Sequence, residues 1–324
     1  MRKIFFVLCG CIFLVAAGQT NHDKASANSH FRTVGYLMVG RSNVLAAAQK
    51  INFNALTHLN LAFINPDSSG NFKGNHVLQQ IIQLAHTSHV KVLMSIGGGN
   101  IPAYLTKFLT DDNQQVFIKN ILAEVEKYDF DGVDVDFEGD AVNSNYSKFV
   151  IGLARPITAR HKLITAAVAT WFAGSVTDSA LAAFDFINVM SYDKTGPWQP
   201  SKPGPHAPYA MAVSDINYWH ITRGVDKQKL NLGLPFYGYG FGANNTTSEM
   251  GFGKIIAAYP GAESTDSVLL HNGQTMYYNG IPTIKSKAAF ALQQTGGVMI
   301  WELTQDAIGS LSLLKSITDV VEAK

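Results

Sequence analysis

The sequence predicts an α/β fold and, within that class, a closed (β/α)8 TIM barrel. Three observations predict it. Eight short apolar runs, rich in Val, Ile, Leu and Phe, recur along the chain and hardly alternate, as strands covered on both faces do. Amphipathic stretches separate them. Together they fill about 290 residues, a usual size for one such barrel. A doubly wound open sheet is the rival, but no G-x-G-x-x-G follows the first run to support it.

The first residues stand apart from this pattern. Met1-Arg2-Lys3 is basic, residues 4–18 are almost wholly apolar, and Val15-Ala16-Ala17-Gly18 offers small side chains before polar Gln19. That order is the layout of a secretory signal. Such a run falls short of the ~20 residues that span a bilayer. Residues 1–18 are therefore expected to be a signal peptide, 19–30 a flexible lead-in and 31–324 one barrel domain. The expected location is secreted or periplasmic, with no transmembrane segment in the mature chain. Both cysteines, Cys9 and Cys11, fall in the leader. Lipid attachment at Cys11 is the alternative to cleavage near Gly18. With cleavage the mature chain keeps no cysteine for disulfides, thiolate metal sites or nucleophilic catalysis.

The barrel elements follow in order. Residues 33–39 and 58–64 are β-rich runs. Residues 76–86 place Val77, Ile81, Leu84 and Ala85 on one helical stripe. Residues 91–96 form the third strand. Residues 111–128 carry Phe117, Ile121 and Val125 at helical spacing, behind an acidic start that should cap them. The fourth strand spans 132–137 and a helix spans 144–160. Strands at 163–169 and 186–190 precede a helix at 210–223. The seventh strand spans 230–234, a helix 283–295, the eighth strand 297–301 and a closing helix 308–321.

Composition narrows the function. Hydrophobic residues make up 47% and charged residues 15%, too apolar a balance for disorder. Lys+Arg is 25 against Asp+Glu 24, so there is no basic excess for a phosphate backbone and no nucleic acid partner is expected. The 10 histidines show no H-x-x-x-H or clustered spacing, so no metal and no cofactor are expected. The protein is expected to be a monomer.

One segment concentrates acid where a strand should be apolar: Asp131-Gly132-Val133-Asp134-Val135-Asp136-Phe137-Glu138. Strand side chains alternate, so Asp134, Asp136 and Glu138 share one face, and Val133, Val135 and Phe137 the other. The acids point into the barrel and climb towards the carboxyl ends of the strands, where barrels of this kind do chemistry. Three like charges in a row cannot all stay ionised cheaply, so at least one carboxyl holds its proton at neutral pH. Glu138, at the mouth, is placed to deliver it. A calcium or magnesium site is the other reading, although a strand offers a row rather than a cage.

This stretch resembles the D-G-x-D-x-D-x-E signature of family 18 glycoside hydrolases, the chitinase family. Ser95-Ile96-Gly97-Gly98 is similar to the family's S-x-G-G, Met190-Ser191-Tyr192-Asp193 to its M-x-Y-D, and 297–302 to its terminal tryptophan strand. Gly35-Tyr36 and Leu234-Pro235-Phe236-Tyr237-Gly238 resemble its first and seventh strand ends. The resemblance implies retaining cleavage of β-1,4 bonds next to N-acetylglucosamine, with the sugar's own acetamide as nucleophile. It implies Glu138 as acid and base, Asp136 as partner of the acetamide, Asp134 as the holder or sharer of its proton, and Tyr192 as donor to the acetamide oxygen. It implies substrate contacts from Tyr36, Phe63, Gly98, Met190, Asp193 and Tyr237, with Trp301 as the floor of the −1 subsite. The partner would be chitin or an N-acetylglucosamine-containing oligosaccharide.

The departures matter too. Many relatives insert an α+β domain between the seventh and eighth strands. Here only about 40 residues are free there, fewer than a domain of typical size, and a shallow, open groove is expected. Gly99 and Tyr239 stand where the family often has tryptophan and arginine. Trp171 and Trp198 are candidate cleft aromatics, while Trp219 reads as core. Two other functions stay open: an endo-β-N-acetylglucosaminidase acting on the chitobiose core of N-glycans, and an inactive sugar-binding protein, against which the retained Glu138 speaks.

Overall fold

A computed structural model of the protein describes Met1 and residues 31–323. The rest of the expected leader, the lead-in, Cys9 and Cys11 lie outside the described residues. The strands run β1 (Arg32–Met38), β2 (His58–Ala62), β3 (Lys91–Gly98), β4 (Gly132–Phe137), β5 (Leu163–Val168), β6 (Phe186–Val189) and β7 (Leu230–Pro235). Four shorter strands follow: β8 (Tyr237–Phe241), β9 (Thr247–Gly251), β10 (Ser267–Leu269) and β11 (Thr275–Tyr277). β12 (Gly297–Trp301) comes last. The helices are α1 (Val44–Ala48), α2 (His76–Thr87), α3 (Gln114–Tyr128), α4 (Ser144–Thr158), α5 (Asp178–Ala183), α6 (Tyr209–Asn217), α7 (Phe252–Ala258), α8 (Ile281–Gln294) and α9 (Leu313–Glu322).

β1 to β7 and β12 close a parallel barrel in the order β1-β12-β7-β6-β5-β4-β3-β2. Outward-facing side chains of the strands build the main core with the helices. Val133, Val135 and Phe137 are fully buried there, and Phe137 meets Tyr146 and Phe149 of α4 edge-on at 6.4 and 6.3 Å. Each such burial stabilises the fold by ~1.5–3 kcal/mol. The inward face differs: Asn60, Ser95, Asp134, Thr165, Asn188 and Asn231 are all fully buried. Register explains their meeting. Ser95 lies level with Asp134, Asp134 with Thr165, Tyr36 with Asn60 and Asn188 with Asn231.

Two expectations are corrected. Asp111 does not cap a helix, because α3 starts at Gln114; its carboxylate accepts instead from Gln114 Nε2 at 3.0 Å and Lys148 Nζ at 2.6 Å. The closing helix begins at Leu313, not at 308, since Gly309 takes φ +76° and Ser312 caps the turn. The stretch between β7 and α8 is more than connection. β8 to β11 pair antiparallel in the order β10-β11-β8-β9, a small sheet of their own. Tyr237, Tyr239 and Phe241 on β8 are buried and tie this sheet to the barrel mouth.

Candidate active site

The acid row rises along β4 and just beyond it. Asp134 sits lowest and is fully buried. It accepts from Tyr36 Oη at 2.7 Å and Ser95 Oγ at 2.8 Å on Oδ2, and from Thr165 Oγ1 at 2.6 Å and Asn188 Nδ2 at 3.4 Å on Oδ1. Burial pushes its carboxyl up and these donors pull it down. Four donors around two oxygens fit a carboxylate, which accepts and does not donate. Asp136, 2% exposed, is different: its Oδ1 is buried without a hydrogen-bond partner among the described residues. Burial, then the charges of Glu138 and Asp134, raise it well above the carboxylate range. Glu138 is pushed up to about 7 by burial and by the charge of Asp193. The two upper members can therefore share a proton at neutral pH.

Around the row, Tyr36, Tyr192 and Tyr237 share one cluster with Met299, and Phe63, Met190 and Trp301 pack against it. Trp301 stacks on Phe63 at 5.7 Å and meets Tyr36 at 5.4 Å. Gly98 has φ +106°, and a Cβ there would stand 2.7 Å from the Phe63 ring. Gly98 thus leaves Phe63 the space from which it braces Trp301. Tyr192 is buried, and among the described residues its hydroxyl finds only Met299 Sδ at 3.8 Å, a weak acceptor. Its O–H stays available to a better one. Asp193 takes φ +62° and accepts from Tyr237 Oη; Tyr239 Oη stands 3.5 Å from its other oxygen. Tyr36, Phe63, Met190, Tyr192, Tyr237 and Trp301 thus lie together, with Gly98 against Phe63 and Asp193 against Tyr237.

Sequence reasoning missed others. Thr165, Asn188, Asn60, Tyr239 and His206 all enter the site or its support. Their signal was one polar side chain midway along an otherwise apolar strand, as at Asn60, Thr165 and Asn188. Trp219 is fully buried, whereas Trp171 is 73% and Trp198 54% exposed. Trp171 lies against Gly139, beside Glu138, and Trp198 meets Tyr239 edge-on at 5.6 Å. Both indoles therefore line the rim. Glu302, fully buried after Trp301, pairs with Arg41 at 2.9 Å. Among the described residues, no group of three or more His, Cys, Asp or Glu is placed to hold a metal ion, and no helix is long and apolar enough to cross a membrane.

Comparison with known proteins matches residues 32–306 to the family model described as glycosyl hydrolases family 18. A solved GH18 chitinase, ChiB from the chitin utilization locus of Flavobacterium johnsoniae, is 39% identical with a TM-score of 0.82, covering 90% of this chain and 94% of its own. A chitinase from Bacteroides thetaiotaomicron is 28% identical with a TM-score of 0.77, covering 90% and 96%. A chitinase-like effector of Moniliophthora roreri is 30% identical over 244 residues, or 65% of this chain. This chain spans 60% of that relative's length.

Proposed function

The chain belongs to the glycosyl hydrolases of family 18, and from that membership and the geometry of its acid row we propose that it hydrolyses β-1,4 bonds in N-acetylglucosamine polymers or oligomers. The carrying observation is the stacking of Glu138, pushed up to about 7 at the mouth, above an unpartnered Asp136 oxygen. The sugar in the −1 position rests on Trp301. Its acetamide oxygen, held by the Tyr192 hydroxyl, attacks its own anomeric carbon. The glycosidic C–O bond breaks, and Glu138 gives its proton to the leaving oxygen. The acetamide N–H donates to Asp136, which balances the positive charge of the oxazolinium ring. Glu138, now ionised, takes a proton from water as the water oxygen opens that ring with retention.

The resting protonation suits this sequence. Asp136 has no donor until the substrate N–H arrives, and a hydrogen bond to the charged form favours ionisation. Binding therefore moves the shared proton towards Glu138, where the leaving group needs it. Intramolecular attack gains from proximity, worth up to roughly 7–11 kcal/mol in well-oriented systems. Trp171 and Trp198 serve as stacking platforms on the rim, and Asp193 binds the distorted ring. The short stretch between β7 and α8 leaves no walling domain beside the site, which suits internal cleavage of soluble or short chains. The basic head and apolar run of residues 1–18 support export to where such polymers lie, and the protein acts as a monomer without metal.

The deciding experiment sets chitin oligomers beside a high-mannose glycopeptide and follows products over time. Mixed short oligomers from the first minutes are expected. Predominant disaccharide would count against internal cleavage. Release of the glycan alone would move the substrate to the chitobiose core of N-glycans. Binding without any product would leave a sugar-binding protein. Thiazoline analogues of the oligomers should inhibit, because they imitate the cyclised intermediate. Chelator should leave turnover unchanged.

A further inference from the structure

We propose that His206 is a positioning residue for the site: a proton lodged between its Nδ1 and the Asp193 carboxylate holds Asp193 against Tyr237. The side chain of His206 is 1% exposed. Its Nε2 stands 3.2 Å from the carbonyl oxygen of Tyr237, and its Nδ1 stands 3.3 Å from Asp193 Oδ1. A carbonyl only accepts, so Nε2 carries a hydrogen. The carboxylate oxygen also only accepts. A neutral ring has one N–H, already spent on Tyr237. The second contact therefore requires a further proton, on the ring or on the carboxyl. Among the described residues no lysine or arginine pairs with Asp193; its one ionic partner is this imidazole.

The ring is fixed from all sides. Tyr237 and Tyr239 of β8 pack on it, each at 5.0 Å between centroids. The backbone is pinned as well: Lys194 N donates to the His206 carbonyl at 2.9 Å. The next carbonyl, that of Ala207, accepts from Lys287 Nζ at 2.8 Å and Asn279 Nδ2 at 2.9 Å. Lys287 is fully buried on α8 and also donates to Asn279 Oδ1 at 2.8 Å. The charged and titratable groups facing the ring are thus Asp193, Tyr237 and Tyr239, with Lys287 behind the chain. Asp193 in turn raises Glu138. A proton shared with His206 keeps the Asp193 carboxylate turned to the sugar.

The consequence for substrate rests on the function proposed above; the proton itself can be read without turnover. His206→Gln keeps a donor near the Nε2 position and loses the one facing Asp193. His206→Asn does the reverse. In the full chain, His206→Gln is expected to raise KM for a fluorogenic chitotrioside about tenfold with kcat held within about threefold, and His206→Asn to restore most of it. Thermal melts of both should stay close to that of the wild type. A low-field imidazole N–H proton resonance should be present in the wild type and lost in both Asp193→Asn and His206→Gln. Equal KM in His206→Gln and wild type, or a resonance indifferent to Asp193→Asn, would overturn the proposal. If the wild type cleaves no chitin oligomer, the functional reading fails while the resonance still decides whether His206 and Asp193 share a proton.

Discussion

Glu138 sets the sign of the pH response. Pushed up to about 7 by burial and by Asp193, it is protonated below that value and ionised above it. As the acid, it should make kcat/KM fall roughly tenfold per pH unit on the alkaline side. Glu138→Gln should remove that limb and cost roughly 10²–10⁴ in kcat, with KM little changed; initial rates from mildly acidic to alkaline pH check both. Stability carries the same sign. The unfolded chain ionises this group near its ordinary 4.5 and the folded chain only near 7, so stability is lost as pH rises through that window. Glu138→Gln should therefore melt higher than wild type at about pH 8 but not at about pH 4. The acid row was legible because period-two spacing sorts Asp134, Asp136 and Glu138 from Val133, Val135 and Phe137 within one short segment. The donors around Asp134 were not. Thr165 and Asn188 lie on other strands, and no local spacing links them to β4.

Among the elements, the end of β3 concentrates the sharpest constraint. Gly97 has φ +105° and lies so close to the Asp136 carbonyl that a Cβ would collide with it. Gly97→Ala should destabilise the fold by about 1–3 kcal/mol, seen as a lower urea midpoint. Gly98→Ala, at φ +106°, should carry a similar backbone cost and also push Phe63 and through it Trp301, so that kcat/KM falls as well. The alternation of apolar runs and helical stripes made all eight barrel strands legible to within a few residues. The sheet of β8 to β11 escaped because its strands are three to five residues long and its Tyr-Gly alternation over 237–241 reads as a turn. The short α1, α5 and α7 escaped for a related reason: five to seven residues give too little periodicity to count.

At the scale of the whole molecule, the barrel is apolar outside and hydrogen-bonded inside. Arg32 Nε donates to Asn231 Oδ1 at 3.0 Å, Asn231 Nδ2 to Asn188 Oδ1 at 2.9 Å, and Asn188 Nδ2 to Asp134. A ladder thus runs from the amino-terminal end of the barrel to the foot of the acid row. The fold could be read from sequence because helices and strands repeat. This ladder could not, because each rung joins strands brought together only by closure. The rim completes the picture. Trp171→Ala and Trp198→Ala should each raise KM for long oligomers about two- to tenfold and leave the melting temperature unchanged, the range expected for losing one aromatic contact. These two indoles are wet, Trp219 is enclosed, and Trp301 lies between. The chain therefore carries its own optical gauge. A collisional quencher such as acrylamide should dim mainly the two rim indoles in the free protein, and a bound saccharide lying across them should restore much of that emission without any added dye.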